Sequence, residues 1–303
     1  MLAHRFAGFE IEALVGKGGT AEVYRGVVRE GRHAGRTVAV KRLLPELARD
    51  PACVARFAEE AALTRRLRHP NIVEVLDTGI ADGTPFIAMD YVDGRNLRDI
   101  VRHCAARRIL LPLDFGLHVA HVLAGALAHA HEGTDDRGMP LGIVHCDVSP
   151  SNVFISRLGE IKLGDFGVAL LPGRAGTGHA YGKVQYLAPE QIRGERPTAK
   201  ADLFALGAVL FELLTNAPAF PGRDVNEVGQ KILAGVVRAP SELRPEIPPD
   251  TDALVLRCLS KDPAERWPSA AAFSRALATA YDPAIGTDLA IAAVVRGLFG
   301  ATR

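Results

Sequence analysis

The chain of 303 residues is 48% hydrophobic with a formal net charge of +1, enough apolar material for a large core and for two lobes. Such balanced charge gives no bulk attraction to nucleic acid or to an anionic membrane, so neither is expected as a partner. Its four cysteines, Cys53, Cys104, Cys146 and Cys258, form no C-x-x-C pair, which argues against a zinc site or a disulfide framework and fits a reducing cytoplasm.

Met1 to Glu10 has no signal-peptide core, and no run reaches the roughly 18 apolar residues of a membrane span. Short apolar or alternating runs then predict strands over Phe9 to Val15, Val23 to Val28, Thr37 to Leu43, Ile72 to Gly79 and Phe86 to Tyr91. One helix interrupts them, Pro51 to Leu67, with Phe57, Ala61, Leu63 and Leu67 near helical spacing and His69-Pro70 as its stop. Beyond Asp93-Gly94 long helices take over, at about 96–108, 112–131, 199–215, 224–234, 250–260 and 269–280, with a turn-forming loop from Thr134 to Gly142. The apolar stretch Leu289 to Phe299 contains Arg296 and reads as an amphipathic terminal helix. The expected organisation is a small β-rich lobe (1–92), a larger helical lobe (93–282) and a helical extension (283–303).

The richest chemistry lies in His145-Cys146-Asp147-Val148-Ser149-Pro150-Ser151-Asn152, followed after a short hairpin by Asp165-Phe166-Gly167. A candidate proton acceptor, Asp147, precedes two candidate metal ligands, Asn152 and Asp165. That is a layout for phosphoryl transfer. Upstream, Gly16-Lys17-Gly18-Gly19-Thr20-Ala21-Glu22-Val23-Tyr24 lies between two predicted strands. Its glycines would let backbone approach phosphates, although an ordinary hairpin turn has the same composition. Val38-Ala39-Val40-Lys41 ends an alternating strand with a lysine. Either its amine reaches a cleft, with Glu60 on the helix as partner, or it snorkels to the surface. Glu59 would point about 100° away.

In this order the glycine loop, Val-Ala-Val-Lys, helix glutamate, His-Cys-Asp with Asn152, Asp-Phe-Gly and Ala188-Pro189-Glu190 resemble the protein kinase signature set. The chain is similar to the eukaryotic-like Ser/Thr protein kinases of bacteria, from about Phe9 to Ala280. The resemblance implies an α+β, bilobal protein kinase fold using ATP and Mg²⁺ on protein substrates. It makes Lys41 the α,β-phosphate lysine fixed by Glu60, Asp147 the acceptor of the substrate hydroxyl, and Asn152 and Asp165 the Mg²⁺ ligands. Nucleotide contacts would come from Val15, Gly16, Gly18 and Gly19, from Val23, Ala39 and Phe154 around the ring, from Met89 behind it, and from the Asp90 carbonyl and Val92 amide. Asp202 resembles the aspartate that anchors the catalytic-loop backbone, and Glu190 the carboxylate paired with a late arginine, here Arg266.

Two departures qualify the resemblance. The family's arginine before the catalytic aspartate is Cys146, which cannot hold a phosphate, and Thr177 is the only Ser/Thr between Gly167 and Ala188. Activity independent of loop phosphorylation is therefore expected. The family's lysine two residues after the aspartate is Ser149, and its threonine before Ala-Pro-Glu is Lys183. The expectation is an exchange, with Lys183 supplying the charge and Ser149 the hydroxyl. The rival expectations are a nucleotide-binding pseudokinase acting as a scaffold or signalling adaptor, and a small-molecule kinase. His118, His121, His129 and His131 share one predicted helix but read as packing, and His145 as a residue packing under Phe166. Without a sensor module after the kinase-like segment, regulation is expected from a partner protein or from the ends, the helix near 288–299 above all.

Overall fold

Residues 4–166, 181–282, 284 and 286–300 are described by the structure, a computed structural model, and the chain divides between Val92 and Asp93 into two units. The smaller unit is an antiparallel sheet of β1 (His4–Phe6), β2 (Phe9–Lys17), β3 (Ala21–Val28), β4 (Thr37–Leu43), β5 (Val75–Ala81) and β6 (Thr84–Asp90), in the order β1-β2-β3-β4-β6-β5. One helix, α1 (Pro51–Thr64), interrupts it.

Period-2 alternation gives each face of β4 its own task. Val38 and Val40 pack with Phe6, Phe9 and Phe86 on one face, where Phe86 meets Phe6 and Phe9 edge-on at 5.6 and 5.7 Å. Leu43 lies on the other face with Phe57 and Ala61 of α1, and Lys41 shares that face by the same alternation. Burying a side chain such as Phe57 contributes about 1.5–3 kcal/mol, so the helix is held over the strand that carries the lysine.

Several boundaries differ from the sequence expectation, two of them for a visible physical reason. Helix α1 starts at Pro51 as expected, capped by Asp50, whose carboxylate accepts the Ala52 amide at 2.9 Å, but stops at Thr64 instead of Leu67. There the Thr64 hydroxyl donates to the Glu60 carbonyl oxygen at 2.8 Å, and the Leu67 amide donates to Thr64 O at 3.0 Å in a turn. The fourth long strand begins at Val75, because Ile72 and Val73 are spent as buried plugs in an irregular lead-in. It ends in an Asp82-Gly83 turn with φ of 48° and 70°, the left-handed pair that a two-residue hairpin demands.

The larger unit opens with β7 (Gly94–Asn96), which the sequence reading missed, paired with β8 (Val153–Ser156) and then β9 (Ile161–Leu163). Gly94 is required there, since a Cβ would sit 1.9 Å from Ile155 O. Helices follow: α2 (Leu97–Arg107), α3 (Leu113–Glu132), α4 (Tyr181–Val184), α5 (Pro189–Ile192), α6 (Ala199–Thr215), α7 (Val225–Ala234), α8 (Pro240–Leu243), α9 (Pro249–Cys258), α10 (Ala270–Leu277) and α11 (Asp288–Phe299). Helix α6 is buried continuously from Ala201 to Phe211, as an apolar helix without a polar face must be. Its Asp202, 1% exposed, is therefore a buried charge that needs partners. Helix α11 docks on its own unit, burying Ile291, Ala292 and Val295. Its Phe299 ring lies 4.4 Å from His103 of α2, with the Arg95 guanidinium 5.0 Å from the ring centroid. Among the described residues no helix is long and apolar enough to cross a membrane.

Candidate active site

In the smaller unit, Lys41 Nζ lies 2.7 Å from Glu60 Oε1, with side chains only 13% and 18% exposed. The expected partner is the one present, since Glu60 projects from α1 onto the strand face that carries Lys41. Register places Val23 opposite both Gly16 and Lys41, and Ala39 opposite Met89. At Gly19 an added Cβ would meet nothing within 4 Å, and at Gly18 only Ala21 O at 3.6 Å. Neither glycine has a positive φ, so the protein's own packing does not demand them. Val15 is 48% exposed beside them. Asp90 pairs its side chain with Arg36 and bonds its amide to Glu74 O at 2.9 Å, which leaves Asp90 firmly placed at the end of β6, two residues before Val92.

In the larger unit the site is built around Asp202. Its Oδ2 accepts the His145 amide and His131 Nε2, each at 2.8 Å, and its Oδ1 accepts the Cys146 amide at 2.8 Å. This grip holds Cys146 at φ 66°, a left-handed conformation that costs a non-glycine residue about 1–2 kcal/mol. Gln191 of α5 adds a third restraint, donating Nε2 to Cys146 O at 3.1 Å. Sequence reasoning missed His131 and Gln191. Gln191 directly follows the Ala-Pro-Glu motif, whereas no pattern singled out His131 among its neighbours on α3.

His145 is a strut rather than a base. Its Nε2 donates to Gly164 O at 3.1 Å, and its Nδ1 accepts the Asp147 amide at 3.2 Å, which fixes the neutral tautomer. Burial pushes its pKa down, against the raising influence of Asp202 and Asp147. The ring lies 4.3 Å from that of Phe166. The Cys146 thiol is pushed up to about 12, first by burial and then by Asp202 and Asp147, so it lacks the thiolate character of a reactive cysteine.

Asp147 is the point of convergence. Asn152, on a 3-10 turn (Pro150–Asn152), donates Nδ2 to Asp147 O at 2.8 Å and to Oδ2 at 3.0 Å. Lys183 Nζ, from α4, donates to the same Oδ2. Two donors on one oxygen orient the carboxylate and leave Oδ1 to receive a proton. The expected exchange is seen only in its ammonium half. Ser149 is 1% exposed and its buried Oγ has no hydrogen-bond partner, so the hydroxyl does not meet Lys183. Phe154 is half-buried on β8.

Asn152 and Asp165 supply hard oxygen donors of the kind Mg²⁺ prefers. The Asn152 Nδ2 is committed to Asp147, which leaves its Oδ1 as the ligating atom, and Asp165 is held at φ 53° directly after the Gly164 amide that bonds Asn152 O at 2.9 Å. The donor set fits the ion. Gly167 and Thr177 fall outside the described residues. The α3 histidines disperse to separate tasks, His118 Nδ1 to the Tyr281 hydroxyl at 3.0 Å and His121 Nδ1 to Ser274 O at 2.9 Å.

Behind the site, Arg266 donates from both terminal nitrogens to Glu190, at 2.7 and 2.8 Å, and its Nε bonds Ser260 O at 2.9 Å. The pair is almost completely buried.

A sequence model described as the protein kinase domain matches residues 9–278. The tyrosine-protein kinase MasK of Myxococcus xanthus is 36% identical over 292 residues, 95% of this chain and 45% of that protein. The probable serine/threonine-protein kinase SCO3848 of Streptomyces coelicolor is 39% identical over 303 residues, 97% of this chain and 43% of that protein. The chain thus spans less than half the length of these relatives. The crystal structure of the Mycobacterium tuberculosis PknI kinase domain aligns with a TM-score of 0.68 at 30% identity, covering 91% of this chain and 97% of that one.

Proposed function

The chain belongs to the protein kinase family, and from that premise we propose that it transfers the γ-phosphoryl group of ATP to a protein serine or threonine with Mg²⁺, without needing a phosphate on its activation segment. The observation that carries the reading is the convergence of Asn152 and Lys183 on Asp147 Oδ2. Asp147 Oδ1 takes the proton of the acceptor hydroxyl while its oxygen bonds to the γ-phosphorus and the bond to the β-phosphate oxygen breaks. Lys183 balances charge beside the reacting group, and Lys41, held by Glu60, neutralises the α- and β-phosphates. Asn152 and Asp165 would hold Mg²⁺, which when bound neutralises the charge on the phosphates. These are tasks of position and electrostatics, the main source of acceleration in this chemistry.

The Lys41–Glu60 pair and the oriented Asp147 speak against the scaffold reading, since a chain that only binds nucleotide has no use for a held proton acceptor. The relatives' names include both tyrosine and serine/threonine kinases, and Ser149 replaces the family's lysine. Incubation with labelled ATP and Mg²⁺ should give transfer to itself or to a generic protein, abolished by Asp147→Asn. Phosphoamino-acid analysis should then show phosphoserine or phosphothreonine. ATP binding without any transfer would return the chain to the scaffold reading, and phosphotyrosine alone would overturn the acceptor assignment.

A further inference from the structure

A cavity of about 190 Å³ lies in the larger unit beside the catalytic loop, lined among others by Arg98 and Arg102 of α2, Ser151 of the 3-10 turn, Gln185 and Tyr186 just after Lys183, and Glu212 of α6. Neither the proton acceptor nor the metal ligands belong to it, so the reaction as described leaves it without a task. Its charges do not cancel. Glu212 is already engaged, its Oε2 accepting the Tyr186 hydroxyl at 2.5 Å, while that hydroxyl accepts Gln185 Nε2 at 2.8 Å. Burial pushes the Glu212 carboxyl upward, against the Tyr186 hydrogen bond and the charge of Arg98, which weakens it further as a counter-charge.

The two arginines have no such commitment. Arg98 reaches Ser151, NH1 to Oγ at 3.5 Å, and among the described residues neither Arg98 nor Arg102 has a carboxylate within ion-pairing distance. They stand four residues apart on one face of α2, a spacing that puts their Cβ atoms about 5–6 Å apart. Two guanidinium forks at that separation can close on one oxyanion, whose planar or tetrahedral oxygens they match in geometry as well as charge.

We propose that this cavity binds an oxyanion carried by the acceptor protein, a carboxylate or a phosphate, and so selects acceptor segments that are acidic or already phosphorylated. The proposal rests on the kinase reading and deepens it by naming the substrate class. Chain reach bounds the position of the anion. Ser151 lies four residues after Asp147, at most about 14 Å along a fully extended chain, so the anion should fall within about four residues of the accepted hydroxyl.

The test uses the full chain and a set of serine peptides in a neutral background, with glutamate, phosphoserine or arginine placed singly from four residues before the acceptor to four after. Glutamate or phosphoserine at one or two positions should raise kcat/KM at least about tenfold over the neutral peptide, and the ratio should fall to near one in Arg98→Ala/Arg102→Ala. Arg98→Glu/Arg102→Glu should reverse the preference toward the arginine peptides. A preference for phosphoserine over glutamate would identify an already phosphorylated acceptor, and equal responses an acidic one. Fluorescence anisotropy of the same labelled peptides separates the two layers of the argument. Charge-dependent binding that needs both arginines, with no transfer, would leave the cavity standing and remove the kinase reading. Transfer without any anionic preference, or a preference that survives the double alanine variant, overturns the cavity proposal while the reaction stands.

Discussion

Replacing Lys183 by alanine tests whether the ammonium beside Asp147 belongs to the reaction or only to the resting fold. In the resting structure the Lys183 and Asp147 side chains are 36% and 26% exposed, so solvent screens the pair and its contribution to folding is about 0–1 kcal/mol. For a domain of this size that shifts the melting temperature by no more than about 2–4 °C. During transfer the same lysine faces a group that gains and spreads charge, where losing a charged hydrogen bond costs about 1.5–3 kcal/mol. Converted to rate, that is a fall in kcat of about 10- to 150-fold. Steady-state kcat with Mg²⁺ and ATP, measured beside a thermal melt, should therefore show a large kinetic loss with a small stability change. A kcat within about twofold of the parent would refute the role. Restoring a lysine by Ser149→Lys together with Lys183→Thr should recover part of the rate relative to Lys183→Thr alone. Recovery is partial because position 149 is 1% exposed, so the new stem must carry its ammonium out of a packed site.

Arg266→Ala should act on stability instead, since it leaves the Glu190 carboxylate buried and unpaired. A loss of about 3–5 kcal/mol corresponds to roughly 6–20 °C in melting temperature, and a melt within about 2 °C of the parent would contradict the buried-pair account. Thr177→Ala should change kcat less than about tenfold, because Cys146 stands where a phosphate-reading arginine would be needed; a larger fall that a phosphomimetic glutamate reverses would show that the segment is switched by phosphate after all.

Much of the fold could be read in advance because its signals are local. Val38-Ala39-Val40-Lys41 alternates, which set both the strand and the face of its lysine, and the spacing from Phe57 to Ala61 fixed the side of α1 that carries Glu60. What escaped depends on long-range or backbone geometry. The strand at Gly94–Asn96 exists because two distant segments pair across it, and three residues carry almost no pattern. Asp202 was legible as an anchor from the resemblance, but His131 became its partner only through the packing that brings the end of α3 to the start of α6. The stop of α1 at Thr64 was misjudged because apolar spacing continues to Leu67, while a side-chain hydroxyl bonded to the backbone and the approach to Pro70 decide the end. The Ser149–Lys183 exchange was readable as a swap of residue types, yet only coordinates separate the half that makes a contact from the half that is merely buried.

The two departures from the family pattern, Cys146 and Lys183, are best understood together. An arginine at position 146 would bring a cation beside Asp147 and tie it to a phosphate on the activation segment. In this chain the position is filled by a half-buried thiol that donates to Val144 O at 3.7 Å and whose backbone is held by Asp202 and Gln191, so its side chain carries no charge with which to hold a phosphate. The cation reaches Asp147 from the other direction, on Lys183, which itself belongs to the end of that segment. The ion pair between Lys183 and Asp147 is thus encoded in the chain itself and needs no added phosphate. The same stretch sets Gln185 and Tyr186 against Glu212, forming the wall of the basic cavity on α2. On the proposed reading, residues Lys183 to Tyr186 contribute at once to the charge around Asp147 and to the wall of the anion cavity, which would tie the change at position 146 to substrate recognition rather than to a loss of catalysis.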